Sequence, residues 1–229
     1  MILQDVTASS ISTMLRTKEK VCIFVDNTDL FDAIQDIRTT HGKKVDYIKL
    51  KEILADDRTV NRANFYFSEP SPPKFYFSDP PYSKEVKEEG EESLLAAKKR
   101  QGFYYVLQKA GYSVVCLPQR ERYDPHSGEY YLDDTMSLEI VYDMCMMSQK
   151  NFDTFILVAG SEDYARIVSK LRQDYGVNVE VAFFGSSCAA KLRDSANRFI
   201  DLEQDGIMRE LFRGLEAKDA IQQTNGREY

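Results

Sequence analysis

The chain has 229 residues, of which 43% are hydrophobic and 29% charged, as is usual for a globular protein of one large or two small domains. Its formal net charge of −7 argues against a protein that coats nucleic acid through charge alone. No apolar run is long enough to span a bilayer, and residues 1–20 lack the apolar stretch of a signal peptide. We therefore expect a cytoplasmic protein without a membrane partner.

The first predicted strand is the apolar run K-V-C-I-F-V-D over Lys20–Asp26, which ends in an Asp–Asn turn. Apolar residues recur at helical spacing over residues 30–37, so a helix is predicted to follow directly. A second helix is predicted over residues 45–54 and a second strand over residues 62–67.

The segment after the second strand contains a near-repeat. F-Y-F-S-E-P over residues 65–70 is followed by F-Y-F-S-D-P over residues 75–80. Two copies do not make a repeat protein, and the prolines favour an elaborated loop, predicted over about 68–101. Within it, a charged stretch over residues 84–92 leads into a helix that continues through residue 107 and ends near Gly111.

The rest of the chain alternates between predicted strands and helices. In order, these are a strand over 112–117, a hairpin-like excursion over 120–131, a helix from Asp134 or Thr135 to about 147, a strand over 154–159, a helix to Gly176, a strand over 178–184, a short helix over 189–196, a strand over 198–202 and a last helix over about 206–220.

This alternation predicts an α/β fold: a three-layer sandwich whose central, mostly parallel sheet is covered on both faces. The strands are continuous apolar runs, as strands buried on two faces must be. We expect a single domain over residues 1–229 with its core at about 20–202. The strands over 20–26 and 154–159 are expected to be neighbours inside the sheet.

Acidic residues follow two of these strands. Asp26 ends the first strand, Asp29 lies one helical turn later, and Asp163 follows the fourth strand. Functional residues of open parallel sheets lie beyond the carboxyl ends of the strands, and hard oxygen ligands suit Mg²⁺ or Mn²⁺, which promote phosphoryl chemistry. The alternative for Asp26 and Asp163 is a simple helix cap. Asp134 and Asp143 add acids around the intervening helix.

Basic residues lie near the same predicted edge. Arg166 and Lys170 are four apart on the helix after the fourth strand, and Lys191 and Arg193 follow the fifth. These four side chains are candidates for contact with phosphates, although Lys and Arg side chains on a protein surface are usually only solvated. The aromatic-rich segment over residues 65–82 could stack nucleic-acid bases, with packing of the strands as the alternative.

Two segments resemble a known family. K-V-C-I-F-V-D-N-T-D-L-F over residues 20–31 is similar to the opening of NYN-domain proteins, a branch of the PIN-like nuclease superfamily. F-D-T-F-I-L-V-A-G-S-E-D-Y over residues 152–164 resembles the family's second signature, a strand followed by Ser-Gly-Asp-x-Asp-Phe. The resemblance implies a Rossmann-like, PIN-like fold and a metal-dependent endoribonuclease that hydrolyses RNA phosphodiesters with Mg²⁺ or Mn²⁺.

The resemblance also implies roles for particular residues. Asp26, Asp163 and Asp29 would bind the ion, Asp143 and Asp134 would support catalysis, and single-stranded RNA would be the partner, with a second copy of the chain as a further candidate. Three family carboxylates are replaced, at Ser137, Ser161 and Asn197. These replacements favour an alternative, a catalytically weakened relative that binds RNA or a protein without cleavage, whereas the retained acids favour the nuclease.

Overall fold

The computed structural model describes residues 19–41, 44–69, 84–133 and 135–212. The strands are β1 Lys20–Asp26, β2 Thr59–Glu69, β3 Ser113–Pro118, β4 Arg120–Asp124, β5 Glu129–Asp133, β6 Thr154–Val158, β7 Asn178–Phe183 and β8 Arg198–Asp201. The helices are α1 Asn27–His41, α2 Tyr47–Ala55, α3 Lys84–Lys109, α4 Met136–Ser148, α5 Ala165–Asp174, α6 Ala190–Ser195 and α7 Asp205–Leu211, with a short 3-10 helix at Glu162–Tyr164.

Six of the strands form one parallel sheet in the order β3-β2-β1-β6-β7-β8, with helices on both sides. This is the predicted α/β architecture. β4 and β5 form the predicted hairpin as a separate antiparallel pair. In the described part of the chain, no helix combines the length and the apolar character needed to cross a membrane.

The centre of the sheet lies between β1 and β6. They pair in parallel from Val21 opposite Thr154 to Val25 opposite Val158, which confirms that the first and fourth predicted strands are neighbours. Apart from the exposed Lys20, both are buried because helices cover both faces of the sheet. From β1 the chain adds β2 and β3 on one side of this pair, and from β6 it adds β7 and β8 on the other side. The strand order therefore reverses between β1 and β6. In open parallel sheets, functional crevices usually lie at the carboxyl ends of the strands at such a point.

Two boundary predictions are wrong. Much of the loop predicted over 68–101 is helical, because α3 begins at Lys84 and includes the charged stretch. The Glu and Lys residues of that stretch are good helix formers, and they extend the helix by several turns. β2 is longer than predicted at both ends. The second copy of the aromatic repeat and the last helix beyond residue 212 lie outside the described residues.

A buried ion pair closes the opposite, amino edge of the sheet. Arg58 donates two hydrogen bonds to the carboxylate of Glu180, at 2.9 and 2.8 Å, and both side chains are almost fully buried. Arg198 also lies at this edge, with its guanidinium 3.3 Å from Asp56 and 3.9 Å from Glu180. Asn197 is also at this edge, because it exchanges hydrogen bonds with the backbone of Val179.

Candidate active site at the carboxyl edge of the sheet

Asp26 lies at the junction of β1 and α1, and its side chain is only 4% exposed. One carboxylate oxygen, Oδ1, accepts hydrogen bonds from the backbone N–H groups of Thr28, at 2.9 Å, and Asp29, at 3.2 Å. The other, Oδ2, accepts one from the hydroxyl of Tyr164 at 2.6 Å. Asp26 therefore caps α1, the alternative role that the sequence left open, and both of its oxygens are engaged within the protein.

Burial raises the pKa of Asp26 from 3.8 to about 6, because the low-dielectric interior disfavours the charged form. The charge of Asp29 raises it further, whereas the hydrogen bonds from Tyr164 and the two backbone groups act in the opposite direction. The main cause of the rise is therefore burial, and the acid whose charge adds to it is Asp29 and not Asp163.

Asp29 joins α1 to the loop that follows β6. Its Oδ2 accepts hydrogen bonds from the backbone N–H groups of Gly160, at 2.7 Å, and Ser161, at 2.8 Å. The loop approaches closely: a Cβ atom on Gly160 would lie 2.3 Å from the ring of Phe183. The carboxylate thus holds a backbone turn that has no room for a larger residue.

Asp163 does not reach Asp26 through a described hydrogen bond; its neighbour Tyr164 does. The backbone N–H of Asp163 donates to the hydroxyl of Ser161 at 3.3 Å, so Ser161 caps the 3-10 helix. This turn leaves the Asp163 side chain exposed and directs the next residue inward, where Tyr164 is 1% exposed and donates to Asp26. Sequence reasoning did not select Tyr164, although its place beside Asp163 in the second signature was a usable signal.

Asp143 belongs to a polar cluster between α4 and β2. It accepts a hydrogen bond from the hydroxyl of Tyr66 at 2.6 Å and one from the amide of Asn64 at 3.5 Å. Asn64 and Tyr66 are fully buried, and the amide of Asn64 also donates to the hydroxyl of Tyr66 at 2.9 Å, so Asp143 completes a buried polar network on this face of the sheet. Burial, and then the Asp143 hydrogen bond, raise the pKa of Tyr66 well above its usual range. Asp134 lies outside the described residues.

A metal centre needs several free anionic oxygens in one place. Among residues 19–41, 44–69, 84–133 and 135–212, no three or more His, Cys, Asp or Glu side chains group closely enough to hold a metal ion. Asp26 and Asp29 instead bind the protein's own N–H and O–H groups. The donor set of this part of the chain does not fit the Mg²⁺ or Mn²⁺ that the resemblance implied.

The four candidate RNA-contact residues differ in their surroundings. Arg166 and Lys191 are exposed on α5 and α6. Lys170 is also exposed but pairs with Asp174 one turn later, at 2.9 Å. The guanidinium of Arg193 lies over the ring of Phe199, 5.7 Å from its centroid. Of the four candidates, only Lys170 therefore has a described acid partner.

A further acid at this edge was missed. Asp201 ends β8, and its Oδ1 accepts hydrogen bonds from the backbone N–H groups of Gly185, at 3.0 Å, and Glu203, at 2.9 Å. Asp26 was selected as an acid at the carboxyl end of a predicted strand, and the same rule selects Asp201. The thiol of Cys188 lies within electrostatic reach: burial raises its pKa most, Arg193 opposes this, and Asp29 and Asp201 add to it.

The parallel sheet, the order of its strands and the acidic edge at its centre define an α/β protein with a PIN-like nuclease fold. The model of the NYN domain family matches residues 20–203, and the chain belongs to that family and hence to the PIN-like superfamily.

Among solved structures, the chain is similar to a protein of unknown function from Vibrio parahaemolyticus, with 21% identity and a TM-score of 0.57 over 82% of this chain and 94% of that one. That similarity supports the fold alone. No curated protein matches the chain.

Proposed function

We propose that this NYN domain binds single-stranded RNA at the carboxyl edge of its sheet and does not hydrolyse it with a metal ion of its own. One observation carries the proposal. Asp26 and Asp29, the acids expected to hold the ion, accept five hydrogen bonds from the protein instead.

The physical argument concerns the charge that a divalent ion needs. Mg²⁺ gives up its water reluctantly, so anionic oxygens must offset the dehydration. At two family acid positions the chain has the neutral hydroxyls of Ser137 and Ser161, and the Ser161 hydroxyl is engaged as a cap. An ion at Asp26 would also displace the hydrogen bond from Tyr164, which is short and charge-assisted. Each of these terms weakens metal binding.

The proposal that the protein binds RNA rests on its family membership and on the basic residues at the carboxyl edge of the sheet. Arg166 and Lys191 are exposed, and no described acid pairs with either. The guanidinium of Arg193 lies over the ring of Phe199. In this arrangement the cation can bind a phosphate while the ring stacks on a nucleic-acid base. The net charge of −7 requires that binding be confined to such a local face.

A second candidate is the metal-dependent endoribonuclease that the sequence first suggested, with Mg²⁺ or Mn²⁺ as cofactor. Asp163 favours it, because this family acid is retained and its side chain is exposed to solvent. A carboxylate in that position is open to an incoming ion.

Two assays on the full chain separate the candidates. Fluorescence anisotropy with labelled decamers of single-stranded RNA measures binding, and gel analysis of the same RNA with Mn²⁺ or EDTA measures cleavage. Tight, salt-sensitive binding of intact RNA supports the proposal. Cleavage that requires Mn²⁺ and is lost in Asp163→Asn establishes the nuclease. Wild-type protein that neither binds nor cuts RNA refutes both.

The lost acids provide a second test. Ser161→Asp with Ser137→Asp restores the family pattern and should create Mn²⁺ binding, seen as a rise in Tm when the ion is added. Ser127→Asp is the matched control, because it adds a carboxylate to the exposed turn between β4 and β5. If Mn²⁺ raises the Tm of wild-type protein as much as that of the restored variant, the missing carboxylates are not the reason for weak metal binding.

A further inference from the structure

A groove of about 680 Å³ lies beside the candidate site, on the other side of α1. Asn27 and Phe31 of α1 form one wall, the end of β2 at Phe67 forms the floor, and Lys99 and Phe103 of α3 form the opposite wall. Because Asn27 directly follows Asp26, this end of the groove lies next to the carboxyl edge.

The charge of the groove is opposite to that of the whole protein. Lys44, Lys99 and Arg100 line it, and none of the thirteen described lining residues is an acid. The complete chain has 37 acids and 30 basic residues, so a face with three cations and no acid stands out. No described acid pairs with any of the three, which leaves their charges to attract an anion.

The groove also presents aromatic rings. Phe31 lines the groove and is 43% exposed, so part of its ring is open to a ligand. Phe67 is 6% exposed at the floor, where the rings of Phe103 and Tyr104 pack against it with centroid distances of 5.7 and 4.8 Å. This packing holds the inner rings rigid. Rigid aromatic faces beside cations are the combination that single-strand nucleic-acid binders use.

A polar atom in the groove has no partner. The hydroxyl of Ser68 is buried, and nothing among the described residues forms a hydrogen bond with it. Buried hydroxyl groups normally have a partner, so Ser68 leaves an unsatisfied polar group next to the groove.

We infer that the groove holds bases of a single-stranded RNA, stacked on Phe31 and the rings of α3, with the phosphates on Lys44, Lys99 and Arg100. The inference rests on the proposed function and extends it, since the strand would continue from the carboxyl edge into this groove. RNA fits better than an acidic peptide because it brings flat π-faces as well as negative charge, and the groove offers a counterpart to each.

The test is RNA binding by the full chain, measured by anisotropy with labelled uridine and adenosine decamers at several salt concentrations. Phe31→Ala removes the exposed ring and should weaken binding about tenfold, the usual effect of losing one stacked base. Lys99→Glu should weaken it at least as much and reduce its salt dependence. Both side chains lie on the surface of their helices, so the Tm should change little.

Each variant has a matched control. Lys98→Glu makes the same charge change one residue away on α3, at an exposed position that does not line the groove. Tyr142→Ala removes an aromatic ring from α4 that is 58% exposed, somewhat more than that of Phe31. Both controls should bind RNA within twofold of wild type.

The outcomes separate this inference from the proposed function. Wild-type protein that binds RNA, with Phe31→Ala and Lys99→Glu no weaker than their controls, overturns the groove alone. Wild-type protein that binds no RNA at low salt refutes the proposed function and the groove with it. A poly-glutamate peptide that binds as tightly, with the same loss in both groove variants, means that the groove recognises charge only and also overturns the inference.

Discussion

Replacing Asp26 by asparagine tests how the charge of this buried side chain affects the stability of the folded protein. The side chain is 4% exposed, and its pKa is raised from 3.8 to about 6. A carboxyl group that binds its proton more tightly in the folded protein than in the unfolded chain makes the fold less stable as pH rises between these two values. The loss begins near pH 4 and is complete somewhat above pH 6.

The size of the effect follows from the same two values. One pKa unit is worth about 1.4 kcal/mol, so ionised Asp26 lowers the free energy of unfolding by about 3 kcal/mol at pH 7 relative to its protonated form. Asparagine has the shape of the protonated group and can still accept the backbone hydrogen bonds of Thr28 and Asp29. The variant should match wild type near pH 4 and exceed it by up to about 3 kcal/mol at pH 7, or about 6–10 °C in Tm.

The assay is a series of thermal melts of both proteins from pH 4 to pH 8, with urea unfolding at the two ends. Asp194→Asn, at an exposed position on α6, is the control for replacing an acid by its amide. If Asp26→Asn is less stable than wild type at pH 7 but equal to it at pH 4, the ionised carboxylate is stabilised by its hydrogen bonds and the argument from burial is wrong.

Three further predictions concern the frame around the site. Arg58→Met should cost about 3–5 kcal/mol in urea unfolding, because it leaves Glu180 buried without its bidentate partner, whereas replacing both by apolar residues should cost much less. Gly160→Ala should lower the Tm by several degrees, since its Cβ would meet the ring of Phe183 at 2.3 Å; a matching Phe183→Leu in the same chain should recover part of the loss. Asp29→Asn should lower the pKa of the carboxyl group at the end of β1, measurable by carbon NMR, because it removes the second cause of the rise; an unchanged pKa would contradict that cause.

The sequence by itself determined the framework of the protein. Continuous apolar runs such as Lys20–Asp26 and residues 154–159 predict strands covered on both faces, and the helices between them predict a parallel sheet. The two signatures at residues 20–31 and 152–164 were enough to predict the family. The NYN family model, which matches residues 20–203, confirms that prediction. These features are local, because periodicity and composition report how each segment is buried.

Only the tertiary structure decided which groups meet at the edge. Asp29 holds the backbone of Gly160, 131 residues later, and Tyr164 reaches Asp26 across 138 residues. Sequence spacing allowed a helix cap for Asp26 but gave no sign of these long-range partners, since hydrogen bonds across such distances depend on how helices pack on the sheet. The groove between α1 and α3 has the same origin: its rings and cations come from segments that are separate in the sequence and adjacent only after packing.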